Sequence, residues 1–130
     1  MPMPIEYLQI VSVPVSSQDH AKEFYVSGLG WDLLSDEAYE PDDGQQQRWL
    51  EVRPPGAQTA ITLVLEDSSL KAGSVKGMIL RAAALESTVA ELAGRGVTMV
   101  QEIQETPWAK YTSFQDPDGN SWVIQEPVSR

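Results

Sequence analysis

Glu51 and Tyr111 are the side chains best suited to move a proton, and Arg81 the one suited to grip a carboxylate through its planar fork. Trp49 offers a flat apolar surface on which an aromatic molecule can stack. Ser12, Thr62, Trp108, Ser113 and Gln125 add hydroxyl, indole and amide groups able to orient a ligand. Stronger chemistry is missing. Without cysteine there is no thiolate nucleophile, no thiolate metal ligand and no disulfide. The one histidine, His20, lies early in a helical stretch where an exposed position explains it, so no Ser-His-acid arrangement stands. There is no phosphate loop and no nucleophile elbow.

Each of these residues also has a plainer role. Trp49 either covers its sheet or stacks on a ligand. Trp108 follows Pro107 and is either a lid or an anchor for its turn. Arg81 and Glu51 either neutralise each other or leave Arg81 free for a carboxylate. Tyr111 either donates a proton or makes a structural hydrogen bond.

Elements must bring these residues together. In residues 7–15, Val11, Val13 and Val15 alternate with Ile10, Ser12 and Pro14, the pattern of a half-buried strand. Ser16 or Ser17 offers an N-cap, Asp19 suits a first helical turn, and Ala21, Phe24 and Tyr25 form an apolar stripe ended by Gly28 and Gly30. A strand starts at 31–34, 41–44 is a loop, and 47–52 and 59–65 form a hairpin around Pro54-Pro55-Gly56. A polar connector spans 66–74. The pattern then repeats: strand 76–82, a helical face of Leu85, Val89 and Leu92 stopped by Gly94 and Gly96, strand 97–103, and a hairpin of 110–115 with 121–126. Asp116-Pro117-Asp118-Gly119 turns that hairpin, and both aspartates read as turn residues.

The order strand–helix–strand–strand–strand therefore occurs twice, in modules at about 5–66 and 75–127 of one domain spanning 1–130. GLGW at 28–31 matches GRGV at 94–97, and RPPGAQ at 53–58 matches DPDGN at 116–120. Each module has a sheet face that cannot stay in water. The expected fold is α+β, two paired βαβββ modules making a curved mixed sheet with a central cleft and helices outside.

The segment VPVSSQDHAKEFYVSGLGW at 13–31, together with DPDGN at 116–120, resembles the vicinal oxygen chelate superfamily, the glyoxalase, bleomycin-resistance and extradiol-dioxygenase group. The resemblance covers nearly the whole chain. It implies one metal ligand on each of four strands, and it carries those positions onto Ile10, Ala60, Gly77 and Val123. None of these side chains can bind a cation, so no metal and no cofactor are expected. If Val11, Val13, Val15, Ile61, Leu63, Trp122 and Ile124 face the helices, the alternate residues face the cleft. Those are Ile10, Ser12, Ala60, Thr62, Ile79, Arg81, Ser121, Val123 and Gln125, joined by Trp49, Glu51, Tyr111 and Ser113.

Nineteen acidic against nine basic residues give a net charge of −10, which argues against nucleic acid as a partner. No apolar run approaches a membrane span, and the first ten residues lack a basic stretch followed by an apolar core. The cytoplasm is the expected location. The expected function is metal-independent binding of a small organic molecule, as sequestration or carriage. The alternative is a superfamily enzyme with a metal-free or non-standard site, using Glu51 or Tyr111 on a substrate held by Arg81. Homodimerisation is left open.

Overall fold

Residues 4–40 and 47–128 are described by a computed structural model. The loop expected at 41–44 falls outside them. The valine alternation builds β1 (Ile10–Val15), which starts three residues later than the pattern suggests. Ser17 caps the helix after it, its Oγ accepting the His20 amide at 3.2 Å. This helix, α1 (Gln18–Lys22), runs on into a π-helical turn (Glu23–Gly28), closed where the Leu29 amide donates to the Phe24 carbonyl. Three strands complete the module: β2 (Asp32–Tyr39), β3 (Gln47–Arg53) and β4 (Ala60–Leu65).

The second module repeats the order with β5 (Met78–Arg81), α2 (Leu85–Gly94), β6 (Gln104–Glu105), β7 (Ala109–Gln115) and β8 (Ser121–Pro127). Its helix has no cap from its own N-terminal residue. The Glu126 carboxylate accepts the Leu85 amide at 2.7 Å instead. The two sheets have the same topology, β1-β4-β3-β2 and β5-β8-β7-β6, with β1–β4 and β5–β8 parallel. The fold is α+β, two βαβββ modules.

The expected strand at 97–103 does not form. Only Gln104 and Glu105 join the ladder. Val97 is drawn the other way: its amide donates to the Leu92 carbonyl at 2.8 Å, closing α2, and its side chain is buried against Gly28. Residues 98–103 reach β7 through isolated hydrogen bonds, from the Val100 amide to the Ser113 carbonyl and from the Thr112 hydroxyl to the Gln101 carbonyl.

The inner faces of both sheets share one core. Val13, Val15, Leu50, Val52 and Leu63 from the first sheet and Phe114, Trp122 and Ile124 from the second belong to a single cluster. The π-helical turn lies at the seam. Phe24 approaches Phe114 at 6.1 Å between ring centres, Tyr25 approaches Trp122 at 6.0 Å, and Trp31 meets Trp122 edge-on at 5.4 Å. The two helices adjoin there, with Arg95 donating to the Ser27 carbonyl. The outer face of each sheet is consequently turned away from the other.

Polar bonds close the seam around the second hairpin turn. Asp118 accepts the amide and hydroxyl of Ser16. Asn120 donates to the Pro14 carbonyl at 2.9 Å, and Asp116 accepts the Tyr25 hydroxyl at 2.8 Å. Gly119 occupies the left-handed region at φ +93°, and its amide donates to the Asp116 carbonyl, so DPDG forms the expected turn. Trp31 and Trp122 are core residues, as their positions suggest. Among the described residues, no helix is long and apolar enough to cross a membrane.

A separate ion cluster ties α1 to the outer strands. Asp36 accepts from Arg48 through two nitrogens and from Lys22 at 2.7 Å. The Arg48 hydrogen bonds first, then that of Lys22, hold its carboxyl well below the usual carboxylate range. A depressed carboxyl stabilises the fold above its unfolded value, about 4, and that contribution fades as pH falls toward the folded value. Stability should therefore decline from about pH 4 downward, and Asp36→Asn should flatten part of that decline. Urea unfolding at a series of pH values reads both.

Candidate ligand-binding site

The outer face of the first sheet is built in cross-strand rows. Ser12, Thr62, Glu51 and Ser35 line up across β1, β4, β3 and β2. Ser12 is exposed. Thr62 is buried, and its hydroxyl is committed to the Leu50 carbonyl at 3.2 Å. Trp49 stands two residues before Glu51 on the same face of β3, with 36% of its surface open. Its indole Nε1 donates to Glu51 at 3.0 Å, which fixes the ring against its strand and occupies one carboxylate oxygen.

On the second sheet, Arg81, Gln125 and Tyr111 form one row, and Ile79, Val123 and Ser113 the next. Tyr111, Ser113 and Gln125 are half-buried, whereas Ile79 and Arg81 are exposed. The structure brings Arg81 beside Tyr111 through Gln125, but it does not bring Arg81 to Glu51. No ion pair joins them among the described residues. The Trp108 indole is 66% exposed, so it does not anchor its turn. The Thr106 hydroxyl does, accepting the amides of Trp108 and Ala109.

Ile10 and Ala60 are direct neighbours across β1 and β4, Val123 pairs with Ile79, and Gly77 immediately precedes β5. Three side chains without donor atoms and a glycine therefore occupy the positions that the resemblance assigns to metal ligands. Among the described residues, no group of three or more His, Cys, Asp or Glu side chains could hold an ion.

A cavity of about 820 Å³ runs between the modules beside the edge strands β1 and β5. Val11, Trp31, Met78, Leu80, Phe114 and Trp122 supply much of its wall, so it opens onto inner-face residues. Of the nine side chains expected to contact ligand, Arg81 alone reaches it. The other eight, Ser12, Trp49, Glu51, Thr62, Trp108, Tyr111, Ser113 and Gln125, lie elsewhere. Two features of the structure escaped the strand pattern. Arg53 shares the face of Trp49 and Glu51 by simple parity on β3, a signal available in the sequence. Asn120 meets Asp116 within the turn, but Tyr25 joins them only through a long-range contact.

A family model described as the Glyoxalase/Bleomycin resistance protein/Dioxygenase superfamily matches residues 7–124. The chain is 40% identical to TnmS3, an antibiotic binding protein from Streptomyces sp. CB03234. The two superpose with a TM-score of 0.85, covering 97% of this chain and 99% of that one. It is 33% identical to a member of the same superfamily from Sphaerobacter thermophilus DSM 20745, with a TM-score of 0.82 over 95% and 99% of the two chains. It is also 28% identical to the uncharacterized protein YetH of Bacillus subtilis (strain 168), over 94% of this chain and 99% of that protein.

Proposed function

Because the chain belongs to the glyoxalase/bleomycin resistance protein/dioxygenase superfamily, we propose that it binds a small organic molecule of the antibiotic kind and holds it unchanged, as a cytoplasmic sequestering or carrier protein. The observation that carries this reading is the chemistry of the outer sheet faces: an indole, scattered hydroxyl and amide groups, and no donor at the four metal positions. Such a wall can embrace and orient a ligand, but it has no Lewis acid of its own making.

The two outer faces are turned apart within one chain, so the Trp49 set and the Tyr111 set meet only with help. A twofold homodimer supplies it, setting the first sheet of each chain against the second sheet of the other, twice. This is how the expected ligand contacts form one cleft. The row Tyr111–Gln125–Arg81 is the place where the enzyme alternative would act.

The test is calorimetric titration with a panel of aromatic antibiotics, followed by mass spectrometry of the recovered compound. Stoichiometric binding and an unaltered compound are expected. Trp49→Ala should weaken binding about tenfold through lost stacking. A chemically changed compound, with the change abolished in Tyr111→Phe, would replace this reading with the enzymatic one.

A further inference from the structure

We propose that the cavity beside β1 and β5 is a second binding site, inside each chain, for an amphiphile with a long apolar body and one carboxylate head. The proposal goes beyond the outer-face reading and does not rest on it. The cavity's volume of about 820 Å³ falls within the usual span for small-molecule pockets, about 300–1,000 Å³. Its deep wall is made of core: Trp31, Leu92, Phe114 and Trp122 line it and are buried. Its mouth wraps around the edge strand β5. There the lining residues Ile79 and Arg81 are exposed, while Met78 and Leu80, which alternate with them, are half-buried.

The wall offers little hydrogen bonding. The Thr59 hydroxyl is committed to the Leu8 carbonyl at 2.6 Å, the Thr88 hydroxyl to the Ala84 carbonyl at 2.8 Å, and the Trp122 indole N–H to the Tyr25 hydroxyl at 2.9 Å. The chain has nineteen acidic residues, yet no Asp or Glu lines this cavity among the described residues. Arg81 is the one charged side chain that does, and it makes no ion pair with any described residue. Protein interiors rarely leave large voids, and water is held well only where it finds two to four polar partners. An apolar body therefore gains by displacing the water here. A carboxylate would not follow it inward, because an unpaired charge is costly in an apolar medium. It stays at the mouth, where the planar fork of Arg81 can take both its oxygens.

Trp31 and Trp122 line the cavity, so their emission reports its occupant. Replacing the other two indoles, Trp49→Phe with Trp108→Phe, leaves them as the only tryptophans. Two probes share one chain: ω-bromoundecanoate has a carboxylate head and ω-bromoundecanol a neutral one, and bromine quenches an indole on contact. Titration of this background below the micelle concentration should give saturable quenching by both, with the acid bound about fivefold more tightly. Arg81→Gln should cancel that preference and leave the alcohol within about twofold. Thr88→Phe, which projects a ring into the cavity, should weaken both probes about tenfold or more. Should that variant lose its helical circular dichroism, Ala57→Phe blocks the cavity from the loop between β3 and β4 instead. Quenching that needs Trp49 and Trp108, equal affinity for acid and alcohol, or indifference to the blocking substitution would overturn the proposal. So would quenching that disappears as protein concentration rises, since a second copy would then fill the cavity. None of these results touches the outer-face reading, which antibiotic titration and Trp49→Ala test separately.

Discussion

Asp116→Ala is expected to cost about 3–5 kcal/mol of folding stability, the loss typical of breaking a buried charged network. The Asp116 carboxylate is buried and takes four hydrogen bonds. The amides of Asp118 and Asn120 reach it at 2.9 Å, and the Tyr25 hydroxyl and Asn120 Nδ2 at 2.8 Å. Truncation would leave the last two donors facing a cavity. The Tyr25 hydroxyl cannot adapt by ionising. Burial, and next the neighbouring Asp116 carboxylate, push it far above the usual phenol range, so it stays a donor. It also accepts the Trp122 indole N–H at 2.9 Å, so the damage would spread into the aromatic seam. Tyr25→Phe alone should cost about 1–2 kcal/mol, and the double variant should show a coupling above about 1 kcal/mol. Equilibrium urea unfolding measures all three. A loss under about 1 kcal/mol for Asp116→Ala would mean that the turn holds itself and the seam does not depend on it.

Gly73→Ala should be nearly as severe, at about 3 kcal/mol or more. Gly73 has φ +83°, and a Cβ there would collide with the Asp118 carbonyl oxygen, a backbone atom that cannot swing aside. Gly56 is the control. Its φ is +81° with nothing within 4 Å of a built Cβ, so Gly56→Ala should cost only about 1 kcal/mol from backbone strain. The contrast matters because Gly73 belongs to the connector between the modules. That segment is held by its own bonds, with Asp67 accepting the amides of Ser69 and Leu70 and Glu66 accepting that of Ala72. It then rests against the hairpin turn at Gly73. Displacing it should loosen one module from the other and favour exchange between chains, visible in gel filtration as a concentration-dependent rise in mass. Unfolding data that place Gly73→Ala level with Gly56→Ala would show that the connector does not need this contact.

Local pattern carried the fold a long way. The valines of β1 alternate over adjacent residues, the Ser17 cap is three residues from the amide it accepts, and DPDG turns within four positions, so each could be read from neighbours alone. The valine-bearing stretch at 97–103 misled because the same residues that favour a strand also serve as a helix closure and a buried plug, and only Gly28, far back in the chain, decides between them. Of the candidate site, only the strand faces were legible. Parity put Ser12, Glu51, Thr62, Arg81, Gln125 and Tyr111 on the opposite side of their strands from the core residues, and the structure separates them into two rows, one on each sheet. Which faces of the two modules meet was not legible, because Trp31, Trp122, Phe24 and Phe114 come together across most of the chain. For the same reason Asp116 reads as an ordinary turn residue until Tyr25 is seen beside it.

The bonds that clasp the halves run from residues 14–25 to residues 116–122 and from Arg95 to the Ser27 carbonyl, and none of these passes through residues 66–72. Severing the backbone in that stretch would break covalent continuity without removing any of them. What the intact link contributes is mainly local concentration, which makes the meeting of the halves intramolecular. The protein is in this respect a permanent complex of two fragments that happen to share a gene.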